Sequence, residues 1–136
     1  MTVTFVDTSF LLALVLKKDA LHERARRCYS ILQGDLITTE YVLTEFVDAL
    51  ARPSLRSIAI RTVSMLQSLP TIRIIAGSSD LWREGLTIFE RRPDKKWSLT
   101  DCISFHVMER ENVKDALTND QDFVQAGFRA LLREES

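Results

Sequence analysis

Four acidic side chains in this 136-residue sequence stand at places where carboxylates can do chemistry: Asp7, Glu45, Asp101 and Asp120. Asp7 comes where the β-rich run Val3-Thr4-Phe5-Val6 should end as a buried strand, and Thr8-Ser9 after it reads as a helix start. Glu45 belongs to a polar strip of Tyr41, Glu45, Asp48 and Arg52, which taken alone is also what a solvated helix face looks like. Asp101 falls in the first turn of a segment apolar on nearly every side. There Ser98-Leu99-Thr100-Asp101 has the form of a capping box. Asp120 follows a strand in Leu117-Thr118-Asn119-Asp120-Gln121-Asp122-Phe123, where an Asn/Asp turn is the plain alternative. Asp115, Asp120 and Asp122 do not form an EF-hand loop, since the required glycine and final glutamate are missing.

Each acid has its own dull explanation; their combination does not. Two like charges about 4 Å apart repel by roughly 4 kcal/mol at an effective dielectric near 20. Four carboxylates that meet must therefore hold a cation or keep protons. All-oxygen donors without His or Cys suit Mg²⁺ or Mn²⁺ rather than zinc. Such ions polarise a phosphate and activate water, so phosphodiester hydrolysis is the chemistry the set predicts.

The remaining residues predict the elements that would bring the acids together. Strands are expected at 3–6, 36–38, 71–75 and 116–118, with an edge strand over 128–132. Between them the sequence predicts helices over 9–16, behind an Asp19 cap up to Gly34, after Thr39, after Ser54, after Ser78 or Ser79, and over 98–110. The third of these should bury Leu43, Phe46, Val47 and Leu50. The helix after Ser78 should bury Leu81, Trp82, Gly85, Leu86 and Phe89 on one side. Strands alternating with helices imply an α/β fold with a mostly parallel sheet covered on both faces. Such sheets bind ligands beyond the carboxyl ends of their strands, where Asp7 and Asp120 are expected.

Length and composition fit one domain spanning residues 1–136, without repeats or linkers. Eighteen Lys+Arg against nineteen Asp+Glu argue against a protein that coats nucleic acid, but not against an enzyme that grips a strand locally. Cys28 and Cys102 lie among apolar residues and are expected to be buried thiols, consistent with a reducing cytoplasm. The longest apolar run, Phe10 to Leu16, is too short to cross a bilayer. No membrane association is expected.

Phe5-Val6-Asp7-Thr8-Ser9, Thr44-Glu45-Phe46, Trp97-Ser98-Leu99-Thr100-Asp101-Cys102 and Leu117-Thr118-Asn119-Asp120-Gln121-Asp122-Phe123 resemble the successive motifs of PIN domains, closest to the VapC-type toxins of bacterial toxin–antitoxin pairs. The resemblance implies a three-layer α/β/α sandwich and a Mg²⁺- or Mn²⁺-dependent endoribonuclease. It also implies a homodimer neutralised by a separate antitoxin protein. By position, Asp7, Glu45, Asp101 and Asp120 match the family's acidic quartet and Asp122 an additional acid, either Asp120 or Asp122 being the direct ligand. Thr8 and Thr118 match hydroxyls that orient the carboxylates or their waters.

RNA is commonly gripped through phosphate charge and aromatic stacking. Arg91, Arg92, Lys95, Lys96 and Trp97 just before Asp101 are suited to that, with Trp97 expected in the core, and Arg52 and Arg56 are further candidates. His22 and His106 have no partner pattern of a catalytic base. An aspartyl-nucleophile phosphatase wants a second Asp where Ser9 stands, and a receiver domain wants a late lysine that Lys114 does not match. The rival from another class is a non-catalytic interaction module on the same fold.

Overall fold

Short β-branched runs with apolar residues on both faces form five parallel strands in the computed structural model, which describes residues 2–133. They are β1 (Val3–Val6), β2 (Asp35–Thr39), β3 (Ile72–Ile75), β4 (Asp115–Leu117) and β5 (Arg129–Ala130). Their order in the sheet is β3-β2-β1-β4-β5. The chain therefore builds outward from β1 through β2 to β3, then returns to place β4 against the other side of β1. That reversal makes the β1–β4 pair the switch point at which an open parallel sheet presents a crevice. Asp7 and Thr118 immediately follow these two strands.

Seven α-helices flank the sheet among the described residues: α1 (Thr8–Val15), α2 (His22–Ile31), α3 (Glu40–Ala49), α4 (Arg56–Ser68), α5 (Ser79–Arg91), α6 (Leu99–Arg110) and α7 (Gln121–Gln125). Two predicted caps hold: the Thr39 hydroxyl accepts from the Val42 amide and Ser78 accepts from Leu81, both at 3.1 Å. Other boundaries differ. Asp19 accepts from the Leu21 amide in the turn before α2, and the stretch around Ser54 is a 3₁₀ turn (Pro53–Leu55) leading into α4. Gly34 lies beyond the α2 C-cap at φ +93°, where a Cβ would stand 2.2 Å from the Thr2 carbonyl oxygen. Its role is to let β1's approach strand pass, rather than to stop the helix. α7 is a helix that the sequence analysis does not predict.

The expected apolar face of α5 divides in two. Leu81 and Gly85 are buried against α6, whereas Trp82, Leu86 and Phe89 are 46%, 37% and 48% exposed. The absence of a side chain at Gly85 explains the split, since a Cβ there would meet Ile103 Cγ1 at 2.3 Å. The helices approach along that line and leave the adjoining stripe outside. Val47 is likewise exposed and Cys28 only half-buried, while Cys102 is buried with its thiol pushed up to about 11, first by burial and then by Asp101. α6 is buried nearly all round, as its sequence predicts; Phe105 meets Trp97 and Phe123 edge-on at 5.0 and 4.9 Å. No helix among the described residues is long and apolar enough to cross a membrane.

Gly85→Val should overpack the α5–α6 contact and lower stability by about 1–3 kcal/mol, despite valine's better helix propensity. Thermal melts of the two proteins check this; an unchanged midpoint would contradict the close approach.

Candidate active site

Asp7 is delivered by β1 to the carboxyl edge of the sheet, where Phe5, Val6, Phe10 and Leu11 bury the turn. It is 4% exposed, and among the described residues no cationic side chain is bonded to it. Two hydroxyls steady it instead: Thr118, just beyond β4, donates to Asp7 Oδ2 at 2.7 Å, and Ser9 donates to the same oxygen at 3.2 Å. Those hydroxyls lie 3.1 Å from each other, and Ser9 also accepts from the Asn119 amide at 3.1 Å. The Thr118 oxygen accepts from the Asp120 amide at 3.0 Å. One small network thus ties the ends of β1 and β4 together.

Glu45 enters from α3. Thr8 Oγ1 donates to Glu45 Oε1 at 2.5 Å, joining the first turn of α1 to the middle of α3. Asp101 enters from α6 through the predicted capping box: the Ser98 hydroxyl accepts from the Asp101 amide at 3.0 Å, and Asp101 Oδ2 accepts from the Ser98 amide. Asp120 is the N-cap of α7, its Oδ1 accepting from the Asp122 amide at 2.9 Å, and Asp122 follows in the first turn. Carboxylate oxygens of Asp101, Asp120 and Asp122 all lie within 4.8 Å of one another. Asp120 and Asp122 both reach that cluster.

Electrostatics bind the remaining acids to this group. Burial, opposed by the Thr118 bond and reinforced by Glu45, raises Asp7 from 3.8 to about 6. Burial and then the charges of Asp7, Asp120 and Glu45 raise Asp101 to about 7. Asp122 is also raised, by burial and by Asp120, while Lys96 and Lys95 oppose the shift. Three acids thus meet within 4.8 Å, and the charges of Asp7 and Glu45, from two further segments, act on Asp101. An all-oxygen donor set with this mutual repulsion fits a hard divalent cation.

Lys95 and Lys96 act on the acids through that field. Arg92 is committed elsewhere, with Nε and Nη2 each 3.1 Å from the two Asp94 oxygens and the guanidinium over Trp97. Asp94 is held below the usual carboxylate range by this bond. Arg91 is exposed beside it, and Trp97 is packed in the core. Arg52 and Arg56 are exposed beyond the C-terminal end of α3, and no hydrogen bond or ion pair links them to the acids among the described residues. His22 Nδ1 is 2.8 Å from the Ala13 carbonyl and His106 is 3.9 Å from Glu84, so each has a structural partner. Ser9 was legible only as a helix start; a hydroxyl two residues after a buried strand-end Asp was the available signal.

Residues 4–129 match the PIN domain. The chain belongs to the PIN-domain family. Within it, the 23S rRNA-specific endonuclease VapC20 of Mycobacterium tuberculosis is 31% identical over 124 residues, 91% of this chain and 94% of that protein. The crystal structure of M. tuberculosis VapC20, described as a sarcin–ricin-loop-cleaving toxin, superposes with a TM-score of 0.85 at 29% identity, covering 93% of this chain and 96% of that one. VapBC2 of Rickettsia felis, solved bound to a fragment of promoter DNA, has a TM-score of 0.64 at 14% identity, with 95% and 97% covered. At that identity the likeness is one of fold. The α/β/α PIN architecture expected from the sequence is the one observed.

Because Asp7 and Asp101 bind protons more tightly folded than unfolded, metal-free stability should fall as pH rises from about 4 through about 7. Asp101→Asn, which keeps an acceptor for the Ser98 amide, should raise the melting temperature in EDTA at pH 8 by several degrees and change little at pH 5, at about 3 °C per kcal/mol relieved. Scanning fluorimetry at the two pH values decides; a destabilised variant at pH 8 would deny the repulsion.

Proposed function

We propose that this protein is a divalent-metal-dependent endoribonuclease, the toxin of a VapBC-type pair, with Asp7, Glu45, Asp101 and Asp120 as its catalytic acids and Asp122 supporting them. The convergence of these carboxylates at the switch point carries the reading. The resemblance to a 23S rRNA-specific endonuclease across nearly the whole chain supports RNA as substrate, and ribosomal RNA as the first to test.

Asp101, Asp120 and Asp122 would hold the cation, Mg²⁺ by preference and Mn²⁺ as substitute, as their clustered oxygens support. A cation bound there would supply charge to a phosphate oxygen and lower the pKa of a bound water. Thr118 and Ser9 both hold the Oδ2 oxygen of Asp7, which fixes the carboxylate's orientation and leaves its other oxygen free of them. Thr8 fixes one Glu45 oxygen, which leaves the other to accept the proton of the attacking water. The water oxygen would bond to phosphorus as the bridging P–O bond breaks, and the leaving oxygen would take a proton from solvent. Lys95 and Lys96 bring positive charge to the acid edge, and Arg52, Arg56 and Arg91 are further contacts for the phosphate chain.

Two partners complete the proposal. An antitoxin protein rests on the family resemblance. A second copy of this chain fits the Trp82-Leu86-Phe89 stripe of α5, three large apolar side chains at helical spacing left open by the α5–α6 contact.

Purified protein should cleave structured RNA with Mg²⁺ or Mn²⁺, lose activity in EDTA and regain it on adding metal. Asp7→Asn and Asp101→Asn should stay folded and lower kcat/KM at least about a hundredfold. Cleavage by both variants at the wild-type rate would reject the site. Trp82→Glu with Leu86→Glu should convert a dimer to a monomer in analytical ultracentrifugation; an unchanged sedimentation coefficient would place the interface elsewhere.

A further inference from the structure

A groove of about 360 Å³ opens along the same two helices that carry Asp101 and Asp122, one turn and more beyond the acids. α6 supplies Phe105 and Glu109 to it, the end of α7 supplies Gln125 and Ala126, and the end of α5 brings Arg91 and Arg92. Glu109 lies two turns from Asp101, about 12 Å along the helix axis.

Arg92 is the informative member. Asp94 grips its guanidinium at two points and Trp97 lies 5.1 Å beneath it, measured to the ring centroid. Its charge is largely matched by Asp94, which makes it a weak clamp for phosphate. What it offers is a flat plane held in one orientation, and planar guanidinium groups stack on nucleobases. The Trp97 indole N–H donates to Gln125 Oε1 at 3.3 Å, which steadies the Gln125 amide at the groove edge. Glu109 repels a phosphate or an acidic side chain but accepts from the amino groups of a base. Arg91, exposed at the rim, brings charge for the backbone.

We propose that this groove takes one unstacked nucleobase of the RNA strand, with Arg92 as its stacking plane and Glu109 and Gln125 reading its edge. The polymer's identity rests on the nuclease reading above. The groove has the size of a small-ligand site and joins apolar walls to a few polar groups, as such sites do. An acidic peptide would meet Glu109 and an already neutralised Arg92, so the protein-docking alternative is disfavoured.

Equilibrium binding of the full-length protein in EDTA tests this with two probes, a mixed-sequence single-stranded oligoribonucleotide and an abasic ribose–phosphate chain of the same length. Wild type should prefer the RNA about tenfold or more, the scale of base stacking. Ala126→Phe, which fills the groove from its wall, should remove that preference and leave binding of the abasic chain unchanged. Arg92→Lys, which keeps the charge and loses the plane, should do the same; as a surface change it keeps the test decisive if Ala126→Phe misfolds. Equal wild-type binding of both probes, or full preference in Arg92→Lys, overturns the proposal. So does an Ala126→Phe protein that keeps its preference but loses self-association, which would make the groove a protein interface. Base preference without metal-dependent cleavage would defeat the nuclease reading and leave the base site standing; cleavage without base preference would do the reverse.

Discussion

Like charges buried at the carboxyl edge of a parallel sheet are the constraint around which this molecule is arranged. Asp7 and Asp101 are both nearly inaccessible, and each is pushed toward its protonated form by burial and by neighbouring acids. Among the described residues no ion pair offsets them; the bonds they receive come from hydroxyls and backbone amides. Such an arrangement is unfavourable for an empty site, and it is the condition under which a divalent cation binds strongly. Stability is given up locally where function needs field strength.

The fold supplies the convergence cheaply because each acid sits at an element terminus or on a helix that reaches the switch point. Asp7 ends β1, Asp120 caps α7, and Asp101 closes the capping box of α6. Residues far apart in sequence are then locked by short polar bonds: Thr8 to Glu45, Thr118 to Asp7, Ser9 to Asn119. The hydroxyls do what cations would otherwise do, orienting carboxylates without neutralising them. Trp97 and Phe105 anchor the start of α6 in the core, so the carboxylate of Asp101 is held from behind by aromatic packing.

Much of this was legible in the sequence because it follows from local chemistry. A β-rich run ending in Asp-Thr-Ser, a Ser-x-x-Asp box on an all-round apolar helix, and Thr39 and Ser78 as caps each announce their element. What was not legible depends on contacts between elements. The outward stripe of α5 follows from the approach of Ile103 to Gly85, which no periodicity encodes. The five-residue α7 is too short to show a helical pattern against its Asn-Asp turn signal. Ser9's place in the Asp7 network depends on β1 and β4 being neighbours in parallel register, and Arg92's pairing with Asp94 depends on how the loop before α6 folds. Cys28 is only half-buried rather than a core thiol, since α2 turns no residue but Ala25 fully inward among those described.

If these carboxylates form one cation site, anomalous diffraction from a crystal soaked in Mn²⁺ will reveal it. A manganese peak is expected in the crevice between the ends of β1 and β4, at about 2 Å from oxygens of Asp101 and of Asp120 or Asp122. A crystal with full access to the ion and no peak there, or with manganese bound only at other surface acids, would contradict it.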